Sequence, residues 1–567
     1  MSTPEPTIRD RGSESANFGT LPTVALLALA AACRWYAFNP PAFPVLSVAW
    51  LALVTVAAIR ARSLRTLLIA AVIVDFLWGL GIVRWIADVS VAGYPFLAGY
   101  LSLWGGVSMW LVRRGASSPR TWRIPLWVQL PIIVVALDFL RGEFILGGYP
   151  WYEAGQSLAG WTTVAQAADL LGARGVSILA AVLAGAVAAY AQPWSERGAA
   201  RDRLVGLAVA AGLMVAAVVY GGWRLRQAES LPRLGRFLAI QTALPIDNKI
   251  GWSSQRQLED VPEFARLTLS AVEAAGPPID LIAWPETMLP GFGLDPATLT
   301  MLEEGGYFPG RIFGDIAHAI ALKSGVPLLV GSPVYVGLRE ADRSWEWDAH
   351  YNSVYLVPPA PMGLEEPPRY DKLVLTPFGE TMPGISAFDW LEQALLDLGA
   401  NGMTFDLSAG AEPVRFRIET ASGPIRIATP ICSEATVSWL CRWLVWPEGT
   451  RAADLLVNAS NDGWLGDDQA ARWMNLRIAS LRAIENRTPM LRAVNTGYSA
   501  GIDSCGRVIS GIGGSTIRVG TAAGWVVSEL PRDDRRPLFA MIGDRWAWLA
   551  VVLVATGLVA TRRTSGA

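Results

Sequence analysis

The sequence contains very little histidine and cysteine, and both scarcities limit the chemistry that it can carry out. Only two histidines, His318 and His350, and four cysteines occur among its 567 residues. Serine triads, cysteine–histidine pairs and H-E-x-x-H zinc sites all need histidine beside the nucleophile or the metal. Neither histidine lies in such a motif. We therefore expect no metal, no other cofactor and no histidine-dependent catalysis.

Charged residues are also scarce, and this scarcity excludes a single soluble domain. Only 17% of the residues are charged, whereas 52% are hydrophobic, and the mean hydropathy is +0.33. A chain this long and this apolar is typical of membrane proteins. The formal net charge of -2 gives no reason to expect a nucleic-acid partner.

Eight apolar runs have the length, or nearly the length, of a membrane span. They lie at 21–38, 41–59, 67–83, 92–112, 126–139, 176–190, 204–223 and 546–561. They predict an N-terminal tail (1–20), a membrane domain of seven helices (21–223), an extramembrane domain (224–545), a last span (546–561) and a short tail (562–567).

The arginines predict how these spans are oriented, because basic residues accumulate in cytoplasmic loops. Clusters at 60–65, 113–123 and 197–203, with Arg562 and Arg563, all fall on the side that holds the N-terminus. The opposite loops are poorer in arginine. We therefore expect a multi-pass protein of the bacterial cytoplasmic (inner) membrane whose domain 224–545 faces the periplasm.

Charged residues within the spans need partners, because charge is costly in the bilayer. Asp75 lies inside the third run, and Asp138 lies three residues before Arg141, so we expect a structural ion pair between these last two. Cys441 and Cys505 lie in the extramembrane domain, but nothing in the sequence places them together, and we expect no disulfide between them.

The extramembrane domain alternates β-like and helical segments, which predicts a layered α/β domain. The predicted strands lie at 237–242, 281–284, 327–336, 352–357, 455–459 and 490–503, with a hairpin at 414–429. The predicted helices lie at 261–275, 312–324, 388–398 and 468–486.

Three residues with complementary chemistry each follow a β-like run of this domain. Glu286, Lys372 and Cys432 supply a carboxylate, an ammonium and a thiol, which together can form an acyl-transfer site. Each also has an ordinary interpretation, as a helix cap or surface carboxylate, a solvated lysine and an inert buried cysteine. Their common position at strand ends, where α/β sheets place their chemistry, favours a shared site.

A rival nucleophile motif is present at 497–501, where Ser499 matches the G-x-S-x-G pattern of serine esterases. That motif needs a strand-to-helix turn and a later histidine, whereas here a hairpin is predicted and no histidine follows His350. A cysteine mechanism without histidine needs a carboxylate to take the proton and a nearby ammonium to stabilise negative charge. Glu286 and Lys372 suit these two tasks.

Several short motifs follow one another in a specific order along the chain. They are Gly148-Tyr149-Pro150-Trp151, Trp284-Pro285-Glu286-Thr287, Tyr351-Asn352-Ser353, Tyr370-Asp371-Lys372, Pro377-Phe378-Gly379-Glu380, Cys432-Ser433-Glu434, the run 458–464, Arg482-Ala-Ile-Glu485 and Gly543-Asp544. In these motifs the chain resembles the nitrilase (carbon-nitrogen hydrolase) superfamily, and within it the membrane-bound apolipoprotein N-acyltransferase family. The resemblance implies an αββα sandwich inserted between the seventh and eighth spans.

The resemblance also implies a role for each matching residue. Cys432 would be the nucleophile, Glu286 the general base and Lys372 the stabiliser of the oxyanion. Glu380 and Glu434 would be supporting carboxylates.

Two further residues are expected to contact substrate. Trp252 resembles the tryptophan that lines the family's acyl pocket, although a core aromatic is an equally good interpretation. Ser433 stands where the family usually has an aromatic residue, and Met474-Asn475 stand where it has Gln-His. These departures bear on the acyl pocket rather than on the type of reaction.

The implied reaction moves a fatty acyl chain from a phospholipid donor, through a cysteine thioester, to the N-terminal amine of a diacylglyceryl apolipoprotein. Both substrates lie in the bilayer, so we expect apolar pieces at 290–310 and 384–402 to cover the cleft. A membrane-tethered amidase or nitrilase would use the same triad with water as the acceptor. A transporter with a large binding domain is the non-enzymatic alternative.

Overall fold

The computed structural model describes residues 17–116, 124–192, 199–245, 252–307, 309–341, 344–381, 407–511 and 522–564. The predicted helix at 388–398 and the predicted covering piece at 384–402 lie outside these residues. We number the helices and strands in chain order.

The first group of helices is mainly apolar. It comprises α1 (Thr20–Phe38), α2 (Val45–Arg60), α3 (Leu64–Ile82), α4 (Gly93–Ala116), α5 (Leu126–Glu143), α6 (Ala154–Ser157), α7 (Thr162–Ala165), α8 (Ala168–Ala188) and α9 (Ala199–Ala228). The later helices are α10 (Ser254–Ala275), α11 (Pro296–Glu304), α12 (Ile312–Ser324), α13 (Ser438–Val445), α14 (Gln469–Asn486), α15 (Leu538–Ile542) and α16 (Ala547–Thr564).

The strands all lie between α9 and α15. They are β1 (Arg233–Gln241), β2 (Leu281–Ala283), β3 (Leu328–Val336), β4 (Arg339–Ala341), β5 (Ser344–Glu346), β6 (Ala349–Val357), β7 (Arg369–Asp371), β8 (Arg415–Thr420), β9 (Gly423–Ala428), β10 (Leu455–Ser460), β11 (Met490–Val494), β12 (Ala500–Ile502), β13 (Val508–Gly511) and β14 (Gly524–Pro531).

A helix occupies each of the eight predicted spans. Six helical stretches are long and apolar enough to cross a membrane: Thr20–Phe38, Leu64–Ile82, Gly93–Ala116, Ala168–Ala191, Ala200–Ala228 and Leu538–Ala560. Helix α2 has only 16 residues, and α5 carries Asp138, Arg141 and Glu143 near its end. The membrane character is therefore confirmed, whereas the count of eight spans stays a prediction.

The charges within the apolar helices have partners. Arg34 Nη1 lies 3.8 Å from Asp75 Oδ1, and the Arg34 guanidinium lies 3.6 Å from the ring centroid of Trp78. Arg141 Nη2 lies 3.4 Å from Asp138 Oδ1, which confirms the predicted pair. These contacts offset the cost of placing charge among apolar helices.

Two six-stranded sheets form the extramembrane domain. Their strand orders are β14-β1-β2-β3-β6-β7 and β13-β12-β11-β10-β9-β8, while β4 and β5 form a separate hairpin. In each sheet the three central strands are parallel, and the strands toward both edges are antiparallel. Parallel strands bring their carboxyl ends to one edge of a sheet, which is where the candidate residues emerge.

Alternating side chains of β1 build two separate cores, as expected for a strand covered on both faces. Phe237 and Ala239 pack between the sheets, whereas Leu238 and Ile240 pack on the outer face against α10 and α12. Helices α13 and α14 cover the outer face of the second sheet, and α14 also packs against α8. The domain is therefore an αββα sandwich, which confirms the predicted fold class.

A cluster of buried charge links the sandwich to the apolar helices, and we call it the joint. Arg174 of α8 lies 2.7 Å from Glu143, 3.1 Å from Glu153 and 3.0 Å from Asp544, the last just before α16. Nearby, Glu485 of α14 accepts a hydrogen bond from the backbone N–H of Ala173 at 2.7 Å, immediately after a break in α8. The predicted motif residues Asp544 and Glu485 thus hold the two parts together.

The predicted run at 490–503 is wrong in one respect, because it is two antiparallel strands, β11 and β12, joined by a turn. The structure also contains strands that the predicted list lacks: β4 and β5, of three residues each, and the edge strand β14, of eight residues. Strands of three or four residues carry too little periodicity to be recognised. All four cysteines are free in the structure.

Candidate active site

Glu286 lies just beyond β2 and is held by two neutral donors. Its Oε1 accepts a hydrogen bond from Asn352 Nδ2 at 2.7 Å, and its Oε2 accepts one from the backbone N–H of Asn461 at 2.9 Å. Gly331 of β3 makes this position possible, because a Cβ there would come within 2.7 Å of Glu286 Cα. Glu286 is 5% exposed.

Lys372 follows β7, and its ammonium lies between two carboxylates. Its Nζ is 2.7 Å from Glu380 Oε2 and 3.8 Å from Glu286 Oε1, and it donates to Thr376 Oγ1 at 3.3 Å. Burial by itself lowers the pKa of Lys372, but the negative charges of Glu380 and Glu286 outweigh it and raise that pKa above its ordinary value. Lys372 is therefore a permanent cation at this site.

Cys432 follows β9 and opens a 3₁₀ helix, Cys432–Thr436. Its φ of 50° lies in the left-handed region, which is costly for any residue other than glycine. The side-chain amide of Asn458 holds the turn by donating to Pro430 O at 2.8 Å and to Cys432 O at 3.3 Å. The buried Arg492 in turn donates to Asn458 Oδ1 at 2.9 Å. The nucleophile turn thus has rigid support from β10 and β11.

The surroundings of Cys432 favour the neutral thiol over the thiolate, because together they raise its pKa. Burial raises its pKa above the ordinary value of 9.0, and the carboxylate of Glu286 raises it further, while the ammonium of Lys372 opposes them. The charges of both neighbours therefore act on the sulfur. A thiol of this kind reacts when a base removes its proton during attack, not as a standing thiolate.

Two further residues in the left-handed region flank the carboxylates. Thr287, directly after Glu286, has a φ of 51°, and Phe378, two residues before Glu380, has a φ of 59°. Such residues cost about 1–3 kcal/mol each and cluster at functional sites. All three turns that carry the candidate groups are thus strained.

Glu380 and Glu434 support Lys372 and Cys432 in different ways. Glu380 contacts the ammonium directly; burial raises its pKa, but Lys372 outweighs burial and lowers it. Glu434 instead accepts from the backbone N–H groups of Leu373, Val374 and Ile431 and from the Tyr370 hydroxyl, at 2.7–3.0 Å. Burial raises the pKa of Glu434 to about 7. Its bonds tie the loop after Lys372 to the nucleophile turn.

The two predicted substrate contacts lie in different surroundings. The Ser433 hydroxyl is 2.8 Å from Thr376 Oγ1, so it joins the network around Lys372. Trp252 is 8% exposed in the outer core, where it donates to Asp260 at 2.7 Å and packs near Phe264. The structure thus places Trp252 in a core setting, and its role in an acyl pocket stays a prediction.

Ser499 lies in a structural position and not in a nucleophile elbow. It sits between β11 and β12, is 3% exposed, and bonds to Gln241 Oε1 at 2.9 Å and to the backbone of Val494. A strand-to-helix turn, which the esterase motif requires, is replaced here by a hairpin.

Sequence reasoning missed the amides and hydroxyl that orient the charged groups. Asn352 bridges Glu286 and Glu380, at 2.7 and 3.3 Å, and Thr376 contacts both Lys372 and Glu380. Asn461 supplies its backbone N–H to Glu286. Asn352 and Asn461 lie within the motifs quoted above, so their positions carried a signal, but their hydrogen bonds depend on how distant segments meet.

Comparisons with known proteins cover both parts of the chain. The model of the apolipoprotein N-acyltransferase N-terminal domain matches residues 30–186, and the carbon-nitrogen hydrolase model matches residues 249–523. The apolipoprotein N-acyltransferase of Geobacter metallireducens is 29% identical over 86% of this chain and 82% of its own length. That of Caulobacter vibrioides is 28% identical over 84% of this chain and 80% of its own length.

Among solved structures, the chain is similar to an amidase from Nesterenkonia sp., with 17% identity and a TM-score of 0.34 over 56% of this chain and 98% of the amidase. The two family models match successive parts of one polypeptide. The chain belongs to the apolipoprotein N-acyltransferase family of the carbon-nitrogen hydrolase superfamily.

Proposed function

We propose that this enzyme is an apolipoprotein N-acyltransferase in which Cys432, Glu286 and Lys372 carry out the acyl transfer. The observation that carries the proposal is the Lys372 ammonium, held 2.7 Å from Glu380 and 3.8 Å from Glu286, acting on a neutral thiol in a strained turn. This arrangement supplies a half-buried nucleophile together with a buried base and a buried, fixed positive charge. Relatives over most of the chain are named for the same activity.

In the first half-reaction, Glu286 accepts the proton of the Cys432 thiol as the sulfur attacks the ester carbonyl of a phospholipid. The carbonyl oxygen becomes an oxyanion, which Lys372 stabilises. When the tetrahedral intermediate collapses, the C–O bond breaks, and the leaving oxygen of the lysophospholipid takes the proton back from Glu286. A thioester on Cys432 remains.

In the second half-reaction, the N-terminal amine of a diacylglyceryl apolipoprotein attacks the thioester carbonyl. Glu286 accepts the amine proton, and Lys372 again stabilises the oxyanion. The C–S bond then breaks, the new amide leaves, and the sulfur recovers a proton from Glu286. The neutral resting thiol suits this return, because its raised pKa makes proton recovery favourable.

The remaining predicted residues act through these three. Glu380 keeps Lys372 charged and in place, Glu434 fixes the distance between the lysine loop and the nucleophile turn, and Ser433 orients Thr376. Trp252 remains the proposed contact for the acyl chain.

The setting is a bacterial membrane, since the relatives are bacterial and six helices are long and apolar enough to cross one. The distribution of arginine favours the periplasmic side for the sandwich domain. A lipid donor and a lipid-anchored acceptor both fit a domain joined to apolar helices through Arg174 and Glu485.

The alternative of a water-using amidase is tested by product analysis in proteoliposomes. With phospholipid and a diacylglyceryl peptide, the enzyme should give N-acylated peptide and lysophospholipid. Release of free fatty acid without N-acylation, or of ammonia from a simple amide, would favour the hydrolase instead. Cys432→Ala should abolish product formation, whereas Cys33→Ala, a matched change of a half-buried cysteine in α1, should leave it unchanged.

A further inference from the structure

Helix α13 exposes two tryptophans side by side. Trp439 and Trp443 are 44% and 36% exposed, whereas Ser438, Leu440, Cys441, Leu444 and Val445 of the same helix are buried. Residues four apart share one face of a helix. Two large aromatic rings on one exposed face form an apolar patch of the kind that marks a contact surface.

The neighbouring flank of α13 places this helix at the boundary with the apolar helices. The Ser438 hydroxyl donates to Glu485 Oε2 at 3.4 Å, and the other oxygen of Glu485 accepts from Ala173 of α8. One turn later, Arg442 donates to the backbone oxygens of Phe539 and Ala540, at 3.1 and 3.0 Å. Because Ser438 and Arg442, one turn apart, both contact this boundary, this flank of α13 lies along it, and the tryptophans form the adjacent strip.

The surface next to α13 continues into a membrane-spanning helix. Leu538 and Met541 of α15 are 38% and 49% exposed, and both belong to the candidate span Leu538–Ala560. Trp548 and Leu549, at the start of α16, are 46% and 64% exposed, as expected of side chains that face lipid.

We propose that Trp439 and Trp443, with Leu538 and Met541, seat the sandwich domain in the headgroup and glycerol layer of the bilayer. Tryptophan favours this layer because its ring is apolar and its N–H is polar. Arg442 directly precedes Trp443, and the exposed Arg545 is close enough to act on the charge of Arg442, so this side of the domain carries positive charge that suits lipid phosphates. Since α13 directly follows the 3₁₀ helix of Cys432, the contact fixes the height of the thiol relative to the lipid esters.

Photo-cross-linking tests the contact without any need for activity. Benzoylphenylalanine replaces Trp439 or Trp443 in the full-length protein, which is placed in vesicles of phosphatidylcholine and phosphatidylglycerol and analysed by intact mass. We expect phospholipid adducts at both positions, as at a lipid-facing control, Leu549, and none at Leu364, which is 98% exposed in the loop between β6 and β7. Results like those at Leu364, or cross-links to a second copy or another protein, would overturn the proposal.

A functional measurement separates this contact from simple stability, and it alone rests on the proposed function. The double variant Trp439→Ser and Trp443→Ser should form acyl-enzyme from vesicle phospholipid several-fold more slowly, and the matched double change to Phe should restore most of the rate. Alkylation of Cys432 by a small water-soluble reagent should be unchanged in both. An equal loss of alkylation and acylation would indicate a damaged site and contradict the proposal, and an unchanged acylation rate would also contradict it.

Discussion

Two regions of this molecule bury one cation among several carboxylates, yet they serve different purposes. At the active site Lys372 lies between Glu380 and Glu286, and at the joint Arg174 contacts Glu143, Glu153 and Asp544. Both clusters carry more carboxylates than cations. Buried charge alone therefore does not identify a catalytic site.

The two regions differ in the groups that surround their charged side chains. The carboxylates of the active site also accept from neutral donors, Asn352 and Thr376, and act on the thiol of Cys432 in a left-handed turn. The joint instead links α5, α8 and the segment before α16. A nucleophile beside a fixed charge therefore indicates a catalytic site. Charges shared between distant segments indicate a contact that holds the fold together.

The largest loss of activity is expected when the catalytic base, Glu286, is replaced. Glu286→Gln keeps the shape but cannot accept a proton, and its NH2 group cannot accept one of the two hydrogen bonds that Glu286 receives. The rate of N-acylation should therefore fall by roughly 10²–10⁴-fold. The measurement is the initial rate in proteoliposomes. Glu346→Gln, a matched change at the exposed salt bridge to Arg339, should have no effect. A normal rate of N-acylation in the Glu286→Gln enzyme would show that Glu286 is not the catalytic base.

A substitution at the joint should lower the stability of the protein without changing its catalytic mechanism. Arg174→Met leaves three buried carboxylates without their cation, and breaking a buried ion pair in this way costs about 3–5 kcal/mol of unfolding free energy. Thermal unfolding in detergent should show a clear fall in Tm, while the pH profile of the residual activity keeps its shape. Arg339→Met, at an exposed pair, is the control. A shifted pH profile would mean that the joint takes part in the reaction.

The pH dependence of Cys432 alkylation tests whether the pKa of this thiol is raised. Because burial and Glu286 raise the pKa of Cys432 above 9.0, alkylation by iodoacetamide should be slow at neutral pH and keep rising through alkaline pH. Lys372 lowers this pKa, so Lys372→Met should raise it further and slow alkylation at every pH below it. Peptide mass spectrometry measures the modification of Cys432. A plateau of the wild-type rate near neutral pH would instead indicate a standing thiolate.

The smallest effect concerns Ser433. Its hydroxyl bonds to Thr376, which contacts Lys372, and loss of one such bond costs roughly 0.5–1.5 kcal/mol. Ser433→Ala should therefore slow acyl transfer by only a few-fold, with no change in the chain length of the acyl group transferred. A changed acyl preference would show that Ser433 contacts the lipid, as the sequence predicted, more than it supports the lysine.

Much of this architecture could be predicted from the sequence, for reasons that differ by region. The apolar runs are long enough to predict their helices, and Glu286 and Cys432 follow strands that the sequence pattern predicted. The amides of Asn352 and Asn458 could not be assigned roles, because their partners lie 66 and 28 residues away. The short strand β7 that precedes Lys372 is fixed by its pairing with β6 and not by its own pattern. The placement of Trp252 likewise depends on how α10 packs.

The central claim is that the Cys432 sulfur accepts an acyl chain from a phospholipid, and intact-protein mass spectrometry tests it most directly. After incubation with phospholipid alone, the protein should gain the mass of one fatty acyl chain, and hydroxylamine should remove it, as expected of a thioester. Cys432→Ala should gain nothing. A wild-type protein that turns over substrate without this mass gain, or that carries the acyl chain on another residue, would contradict the account.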